Sequence, residues 1–577
     1  VAAALEEVGL LLELKGENPF KTRAYSNAAR TLLGLRDDLE AMVETGEISK
    51  IRGIGKALSE KITTLVKTGS LPYLEELRAQ VPDGLLEWIK IPGLGPKKAR
   101  AIHQALGITT LGELEYACRE NRLRDLEGFG EKSQEKILSG IEQVRRHAGR
   151  FLQPVVRDEA GRLLALVLAV DGVRRAEVCG SVRRRSETSK DIDVVVSADD
   201  AEPVMDAFAG DAGVLDVIGR GPTKCSVRLK AGPSADLRVV DDRSYPFAVM
   251  YFTGSKAHNI AIRGRARKAG LRLNEYGLTP DGEDASLTCA DEAEIYHRLG
   301  LDDIVPEIRE DYGEIEAAEA GSLPDLIRRQ DLRGALHCHS SWSDGSATIE
   351  EMAEACRSRG FDYLGLCDHS QAAAYAGGLD ATRVAEQHEE IDRINAGYDG
   401  AFHVLKGIEV DILPGGSLDF PGDVLATFDL VVASVHSAFN LTEDEQTERF
   451  LRALNNPYVD IIGHPTGRLL LARDPYPVDL QRVIRAAAER GVAVELNAHP
   501  QRLDLDWQGL RYGLERGMKT SINPDAHAPE GLDDVEYGIG IARKGWCTVE
   551  DVVNAWPLER LLDHLVARRR DAGIRPR

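Results

Sequence analysis

None of the 8 cysteines forms a Cys-x-x-Cys pair, which leaves no zinc ribbon and reads as reduced, cytosolic thiols. No apolar run reaches membrane-spanning length, so functions inside a bilayer are excluded. The apolar opening, Val1 to Leu14, is interrupted by Glu6, Glu7 and Glu13 at helical spacing, as in an amphipathic helix and not a signal peptide. The chain starts on Val1 and not methionine, so residues are expected to have preceded it. An excess of basic residues is also missing: the formal net charge is −22 over 577 residues, at first sight an argument against a nucleic-acid partner. The acid is unevenly placed, however, at about +1 over residues 1–150, about −5 over 151–310 and about −18 over 311–577. A DNA-binding surface in the first half would consist of local patches. Ten of the 14 histidines follow residue 336, and acid together with histidine points to metals. The length provides for three or four domains.

The segment Gly180-Ser-Val-Arg-Arg-Arg-Ser-Glu-Thr-Ser-Lys-Asp-Ile-Asp193 carries the densest chemistry. Asp191 and Asp193 open an apolar strand pattern, and residues two apart on a strand share a face, so both carboxylates address one site. Acidic oxygen ligands on one face are how a protein holds two divalent metals for phosphoryl displacement. Gly180-Ser181 adds a tight turn, while Arg183 to Arg185 add charge suited to a triphosphate. A solvated strand end is the ordinary reading of a lone Asp-x-Asp, but the Gly-Ser and arginine cluster beside it outweighs that reading. Asp236, in a later strand pattern, is the expected third carboxylate.

Before this segment, three glycine-centred turns recur about every 40 residues: Ile51 to Lys56 with Gly53 and Gly55, Ile91 to Pro96 with Gly93 and Gly95, and Leu126 to Glu131 with Gly128 and Gly130. Each precedes a helical pattern and has lysines beside it, namely Lys56, Lys97 with Lys98, and Lys132. Backbone N–H groups at such helix starts admit a phosphate closely. The turns resemble helix-hairpin-helix motifs, which hold the DNA backbone without reading sequence. Asn18 to Tyr25 followed by Gly53 to Lys61 is similar to the amino-terminal lyase domain of DNA polymerase beta. That resemblance puts Lys61 at the Schiff-base position, with a DNA-phosphate contact as its alternative role; Ala57 departs from the pattern, where relatives carry a second lysine.

Together, Gly180-Ser181, Asp191-x-Asp193, Asp236, Tyr251-Phe-Thr-Gly254 and Asn274-Glu-Tyr276 resemble the palm and thumb of family X DNA polymerases. The resemblance implies that Asp191, Asp193 and Asp236 bind two Mg²⁺ or Mn²⁺ ions and that Ser181 and Arg184, with Arg183 as neighbour, hold the triphosphate. It further implies that Tyr251, Phe252 and Gly254 line the sugar pocket and that Asn259 and Arg263, on one helix face, contact the nascent pair. Lys190 and Lys256 stand where relatives have glycine and aspartate, adding positive charge near the nucleotide and putting its sugar and base selection in question.

Beyond Arg333, seven short apolar runs alternate with helical patterns, and most end in a metal-ligand side chain: Ala335–His339, Tyr363–His369, Val404–Glu409, Leu430–His436, Val459–His464, Val492–Asn497 and Lys519–His527. Ligands at strand ends mark a barrel site. The expected ligands are His337, His339, Asp344, His369, Glu409, His436, His464, Asp525 and His527; His388, His403, His499 and His564 have no partner pattern and read as structural. The motifs His337-Cys-His-Ser340, Asp368-His-Ser370, Gly463-His-Pro465 and Pro524-Asp-Ala-His527 resemble the polymerase and histidinol phosphatase (PHP) domain. That implies a distorted seven-stranded barrel with a trinuclear Mn²⁺ or Zn²⁺ site. Glu409 would bridge two ions, His337, His339, Asp525, His436 and His464 would serve one pair, and Asp344, His369 and His527 the third ion.

The expected architecture is multidomain: a lyase-like helical domain (1–85), a second helix-hairpin-helix domain (86–150), an α/β nucleotidyltransferase palm (151–255), a nucleotide-selecting C-terminal subdomain of the polymerase (256–315), a linker (316–332) announced by the acidic run Glu310 to Glu319, and a (β/α)7 PHP barrel (333–577). The expected activity is gap filling on gapped or nicked DNA with dNTPs, joined to a 3′→5′ exonuclease, in a monomer. A DNA-end-binding protein with an idle palm and a small-molecule phosphatase are the alternatives.

Overall fold

The computed structural model describes residues 1–33, 39–51, 54–89, 91, 93–124, 126, 128–145, 149–571 and 573–574. They form two compact units, Val1–Arg145 and Arg146–Arg577. Among the described residues no helix is long and apolar enough to cross a membrane. All eight cysteines are buried thiols without disulfides.

The first unit is helical. Helix α1 (Ala2–Lys15) buries Leu5, Val8, Leu11 and Leu12, the spacing of one helix face, against α2 (Pro19–Leu33). The three turns repeat in structure as in sequence. Ile54 N donates to Ile51 O, Leu94 N to Ile91 O and Phe129 N to Leu126 O, each at 3.0 Å. Gly55 (φ −76°, ψ 170°) and Gly95 (φ −77°, ψ 170°) then start α3 (Lys56–Thr68) and α4 (Pro96–Leu106), and the third turn leads into α5 (Glu131–Arg145). Gly93 and Gly128 take φ of +84° and +85°, a conformation that side chains with a Cβ avoid. Gly53 lies outside the described residues.

In the second unit, helix α6 (Gln153–Leu168) takes Pro154 in its first turn and buries Val156, Ala160, Leu163 and Val167 along one face. It backs a five-stranded sheet of β1 (Val173–Val178), β2 (Asp191–Ala198), β3 (Val214–Arg220), β4 (Lys224–Leu229) and β5 (Ser234–Val240), in the order β1-β2-β5-β4-β3. Only β2 and β5 run parallel, and their register sets Asp193 directly beside Asp236. Between β1 and β2 the expected Gly-Ser turn is a single helical turn, α7 (Gly180–Arg183). Tyr251 and Phe252 fall in the last turn of α8 (Tyr245–Thr253), and Gly254-Ser255 leads into α9 (Lys256–Lys268).

The segment expected to be a linker, 316–332, is built into two cores. Ile315, Ala318 and Leu326 join the thumb core, and Ile327 and Leu332 join the barrel core. The acid run misled because Glu314 is fully buried and bonded to His258 Nδ1 at 2.7 Å, so it is not a solvated spacer residue.

The barrel has the seven expected strands, β6 (Gly334–Cys338), β7 (Tyr363–Leu366), β8 (His403–Asp411), β9 (Leu430–Ser434), β10 (Ile461–Ile462), β11 (Ala493–Asn497) and β12 (Thr520–Asn523), parallel and in sequence order. Near-continuous apolar strands suit a parallel sheet covered on both faces. The first and last strands meet at one end through the bridge Cys338 to Ala526, with His339 N donating to Ala526 O at 2.8 Å. At the other end a side chain joins them: buried Asn554 accepts from Ile522 N (2.9 Å) and donates to Ile522 O (2.8 Å) and Gly334 O (3.0 Å). Tyr363 crosses the site a Cβ on Gly334 would need, 1.9 Å away, so only glycine fits there. Asn554→Ala leaves these backbone groups without their partner and is expected to cost about 3 kcal/mol, read as a lower urea midpoint for the barrel transition.

Candidate metal centre and nucleotide site

All nine expected barrel ligands converge at the strand ends. They fall into four overlapping groups whose ligand atoms lie within 4.8 Å of one another: His339, Asp344, His369 and His527; His337, His464 and Asp525; His337, His339 and Glu409; and His369, Glu409 and His436. Glu409 is the hub. Its Oε1 lies 2.9 Å from His464 Nε2 and 3.2 Å from both His337 Nε2 and His436 Nε2, and its Oε2 lies 2.9 Å from His369 Nδ1. His369 belongs to two of these groups, one with Asp344 and one with His436.

The donors fit metal ions. His337 Nε2, both ring nitrogens of His339 and of His369, and Asp344 Oδ2 are buried without a well-formed hydrogen bond, and such groups are costly unless something coordinates them. Burial, then the charges of His527 and His369, lower the His339 pKa to about 3, which keeps its ring neutral and able to ligate. Burial would raise the Glu409 pKa, but His436, His337 and His369 overcome it and hold the carboxyl well below its usual range. His337 and Asp525 adopt left-handed φ of 55° and 52°, a backbone strain of about 1–2 kcal/mol each held at the site.

Several supporting residues escaped the sequence reading. Glu495 accepts from His337 Nδ1 and from His464 N, both at 2.6 Å, and from Asn523 Nδ2 at 2.7 Å. Asn497 donates to Asp525 Oδ2 at 2.9 Å, and Asp411 pairs with His436 Nδ1. Asp368 takes Ser340 N at 2.8 Å and Ser343 Oγ at 2.5 Å, which fixes the loop carrying Asp344. Period-two spacing would have found Glu495 with Asn497 and Asp411 with Glu409, because each pair shares a strand face. His388 and His564 lie outside the ligand groups, edge-on to Phe428 and Trp556.

The palm site is looser. Asp191 and Asp193 share a strand face, with Asp236 the cross-strand neighbour of Asp193. Among the described residues this trio is not one of the groups converged within 4.8 Å. Lys224, which the sequence reading missed, pairs with Asp236 Oδ2 at 2.7 Å. Gly180 (φ +64°) brings α7 against the carboxylates: a Cβ there would lie 2.3 Å from Asp193 Oδ2. Burial, then Asp191 and Asp236, raise the Asp193 pKa to about 6.

Ser181 Oγ donates to Ser189 Oγ at 2.9 Å. Arg183 donates to Thr253 Oγ1 at 2.7 Å and Glu292 at 2.6 Å; Arg184 donates to Thr253 O and to Glu310 at 3.2 Å. Both arginines thus tie α7 to Thr253, next to Gly254. The rings of Tyr251 and Phe252 meet edge to face at 5.2 Å, and Asn259 Nδ2 bonds Tyr251 O at 2.7 Å. Arg263, Lys190 and Lys256 are exposed. In the first unit Lys56, Lys97, Lys98 and Lys132 are exposed beside their turns, and Lys61 Nζ lies 4.7 Å over the Tyr73 ring.

Because Glu495 orients two ligand segments at once, Glu495→Gln is expected to weaken metal binding about 10–100-fold with the fold intact, as measured by metal titration alongside circular dichroism.

Comparison with known proteins matches domains along the chain. Residues 1–71 match a helix-hairpin-helix domain, 85–143 a SAM-like helix-hairpin-helix tandem, 248–310 the DNA polymerase beta thumb and 335–499 the PHP domain. The chain is 39% identical over 557 residues to the DNA polymerase/3′-5′ exonuclease PolX of Bacillus subtilis, covering 96% of this chain and 97% of that protein. A probable phosphatase of Thermoanaerobacter sp. (strain X514) is 28% identical over 251 residues, 41% of this chain and 96% of that protein. A probable phosphatase of Acetivibrio thermocellus is 34% identical over 170 residues, 28% of this chain and 64% of that protein. From helical hairpins to barrel, the chain belongs to the family X DNA polymerases that carry a C-terminal PHP domain.

Proposed function

We propose that this protein fills short gaps in DNA by template-directed dNTP addition and that its barrel removes nucleotides from 3′ ends. The observation that carries the reading is the pairing of two separate acidic centres in one chain, the palm aspartates abutted by the Gly-Ser helix and the nine-ligand cluster of the barrel. In the palm, Asp191, Asp193 and Asp236 would hold Mg²⁺ or Mn²⁺, which when bound neutralises charge on the phosphates and lowers the pKa of the attacking oxygen. Ser181, Arg183 and Arg184 bind the triphosphate. Tyr251, Phe252 and Gly254 border the sugar, and Asn259 and Arg263 face the nascent pair. In the barrel, His337, His339, Asp344, His369, Glu409, His436, His464, Asp525 and His527 would hold up to three Mn²⁺ or Zn²⁺ ions, since both accept mixed imidazole and carboxylate shells.

The helical unit binds the DNA backbone of gapped or nicked substrates through Gly53, Gly55 and Lys56, Gly93, Gly95, Lys97 and Lys98, and Gly128, Gly130 and Lys132. Lys61 serves as an abasic-site nucleophile or a phosphate contact. The protein acts as a cytoplasmic monomer. Its domains are those of the sequence reading, save that 316–332 is folded into the thumb and barrel cores.

The test follows a labelled primer on a one-nucleotide gap with Mn²⁺, with and without dNTPs. Asp193→Ala is expected to abolish extension alone, and His339→Ala shortening alone. Loss of neither in Asp193→Ala, or no extension by the unmutated protein, would reduce the palm to a binding scaffold. A barrel that cleaves a small phosphomonoester but not the primer would be a phosphatase.

The raised Asp193 pKa also sets a pH dependence. Metal binding needs the carboxylate, and below about pH 6 the proton competes for it. The half-activating Mg²⁺ concentration for extension should therefore rise, by up to about tenfold per pH unit, as pH falls through 6, and level off above. Titrations of Mg²⁺ between pH 5 and 8 read this directly.

A further inference from the structure

The palm and barrel meet along a charged seam, and one of its ion pairs reaches the nucleotide site. Helix α10 (Val535–Lys544) follows the last barrel strand and ends on Lys544, whose side chain is only 4% exposed. Lys544 Nζ pairs with Glu310 Oε1 and lies 3.4 Å from Arg184 O and 3.3 Å from Glu307 O. The same Glu310 oxygen accepts Arg184 Nε at 3.2 Å. One thumb carboxylate is thus shared between a barrel ammonium and the arginine expected to hold the triphosphate. Around it, Arg543 Nε bonds Glu307 at 2.8 Å, Arg468 bonds Glu187 at 2.8 Å, and Tyr312 meets Trp507 edge-on at 5.4 Å. A Cβ on Gly540 would lie 2.9 Å from Arg185 Cβ, so α10 packs closely on the residue after Arg184.

A carboxylate beside Arg184 competes with a triphosphate for the guanidinium. In this half-buried setting the competition is stronger than in water, because screening is weaker. A second cation on the same oxygen takes part of that charge. We propose that Lys544 is a positioning residue of the polymerase supplied by the barrel: by engaging Glu310, it leaves Arg184 available to the dNTP. This rests on the reading of Arg184 as a triphosphate ligand. It makes the barrel part of the nucleotide site as well as the carrier of a second activity.

The test is single-nucleotide insertion by the full-length protein on a gapped duplex, with KM for dNTP and kcat determined separately. Arg184→Ala checks the underlying reading and should raise KM. Lys544→Met should raise KM about tenfold with little change in kcat and with primer shortening retained, while Lys544→Arg should restore the unmutated KM. Glu310→Gln should lower KM, and adding Lys544→Met to it should then have no further effect.

If Arg184→Ala leaves KM unchanged, the triphosphate reading falls and the inference with it. If Arg184→Ala raises KM but Lys544→Met does not, or Lys544→Met acts equally with Glu310→Gln present, only the inference is overturned. A Lys544→Met effect on kcat and primer shortening together, not rescued by Lys544→Arg, would mark a general loss of docking and also overturn it.

Discussion

Placing a carboxylate in a protein interior costs several kcal/mol unless cations or metals surround it. Glu409 is 1% exposed and faces His337, His369, His436 and His464 at about hydrogen-bond distance. The barrel provides this arrangement by running seven parallel strands in sequence order, so that six of them deliver the ligands at or just beyond their ends to the same rim, while β11 adds the supporting Glu495 and Asn497. A sheet that failed to close would leave Asp525 and His527, which follow the last strand, away from His337 and His339 on the first. Closure by Cys338 with Ala526 and by Asn554 is therefore part of the chemistry as well as of the stability.

The palm solves a different problem with fewer parts. Its carboxylates lie on two adjacent parallel strands and one is exposed, so like charges are kept tolerable by solvent and by Lys224. Burial, and after it the neighbouring Asp191 and Asp236, raise the Asp193 pKa, and a divalent cation placed where the three acids meet would offset both. The barrel, by contrast, balances its acids internally with imidazoles. The two centres thus differ in how much of their charge balance the protein itself supplies.

Between them, the seam of Lys544, Glu310, Arg184, Arg468 and Glu187 replaces the loose linker that composition suggested. Residues 316–332 contribute apolar side chains to both neighbouring cores, and just before them Glu314 pairs with buried His258 and Glu310 with Lys544. Palm, thumb and barrel accordingly fall within one compact unit, whereas the helical hairpins form another.

The ligand-bearing motifs were legible without coordinates, because each is local: Asp-x-Asp, His-x-His and Asp-x-His place two donors on one strand face or at one strand end through backbone periodicity alone. The repeated Gly-x-Gly turns were legible for the same reason, since positive φ at Gly93 and Gly128 is a demand on one residue. The seven strands followed from short apolar runs ending in ligands. Pairings between distant segments were not legible: His337 with Glu495, Asp236 with Lys224, and Glu310 with both Arg184 and Lys544 join residues 12 to 234 positions apart. The sequence by itself determined which carboxylate, imidazole and basic side chains share a strand face or flank a turn. Only the tertiary structure decided which charges neutralise one another, because a Coulomb interaction depends on distance and burial in the folded chain and leaves no periodic trace along it.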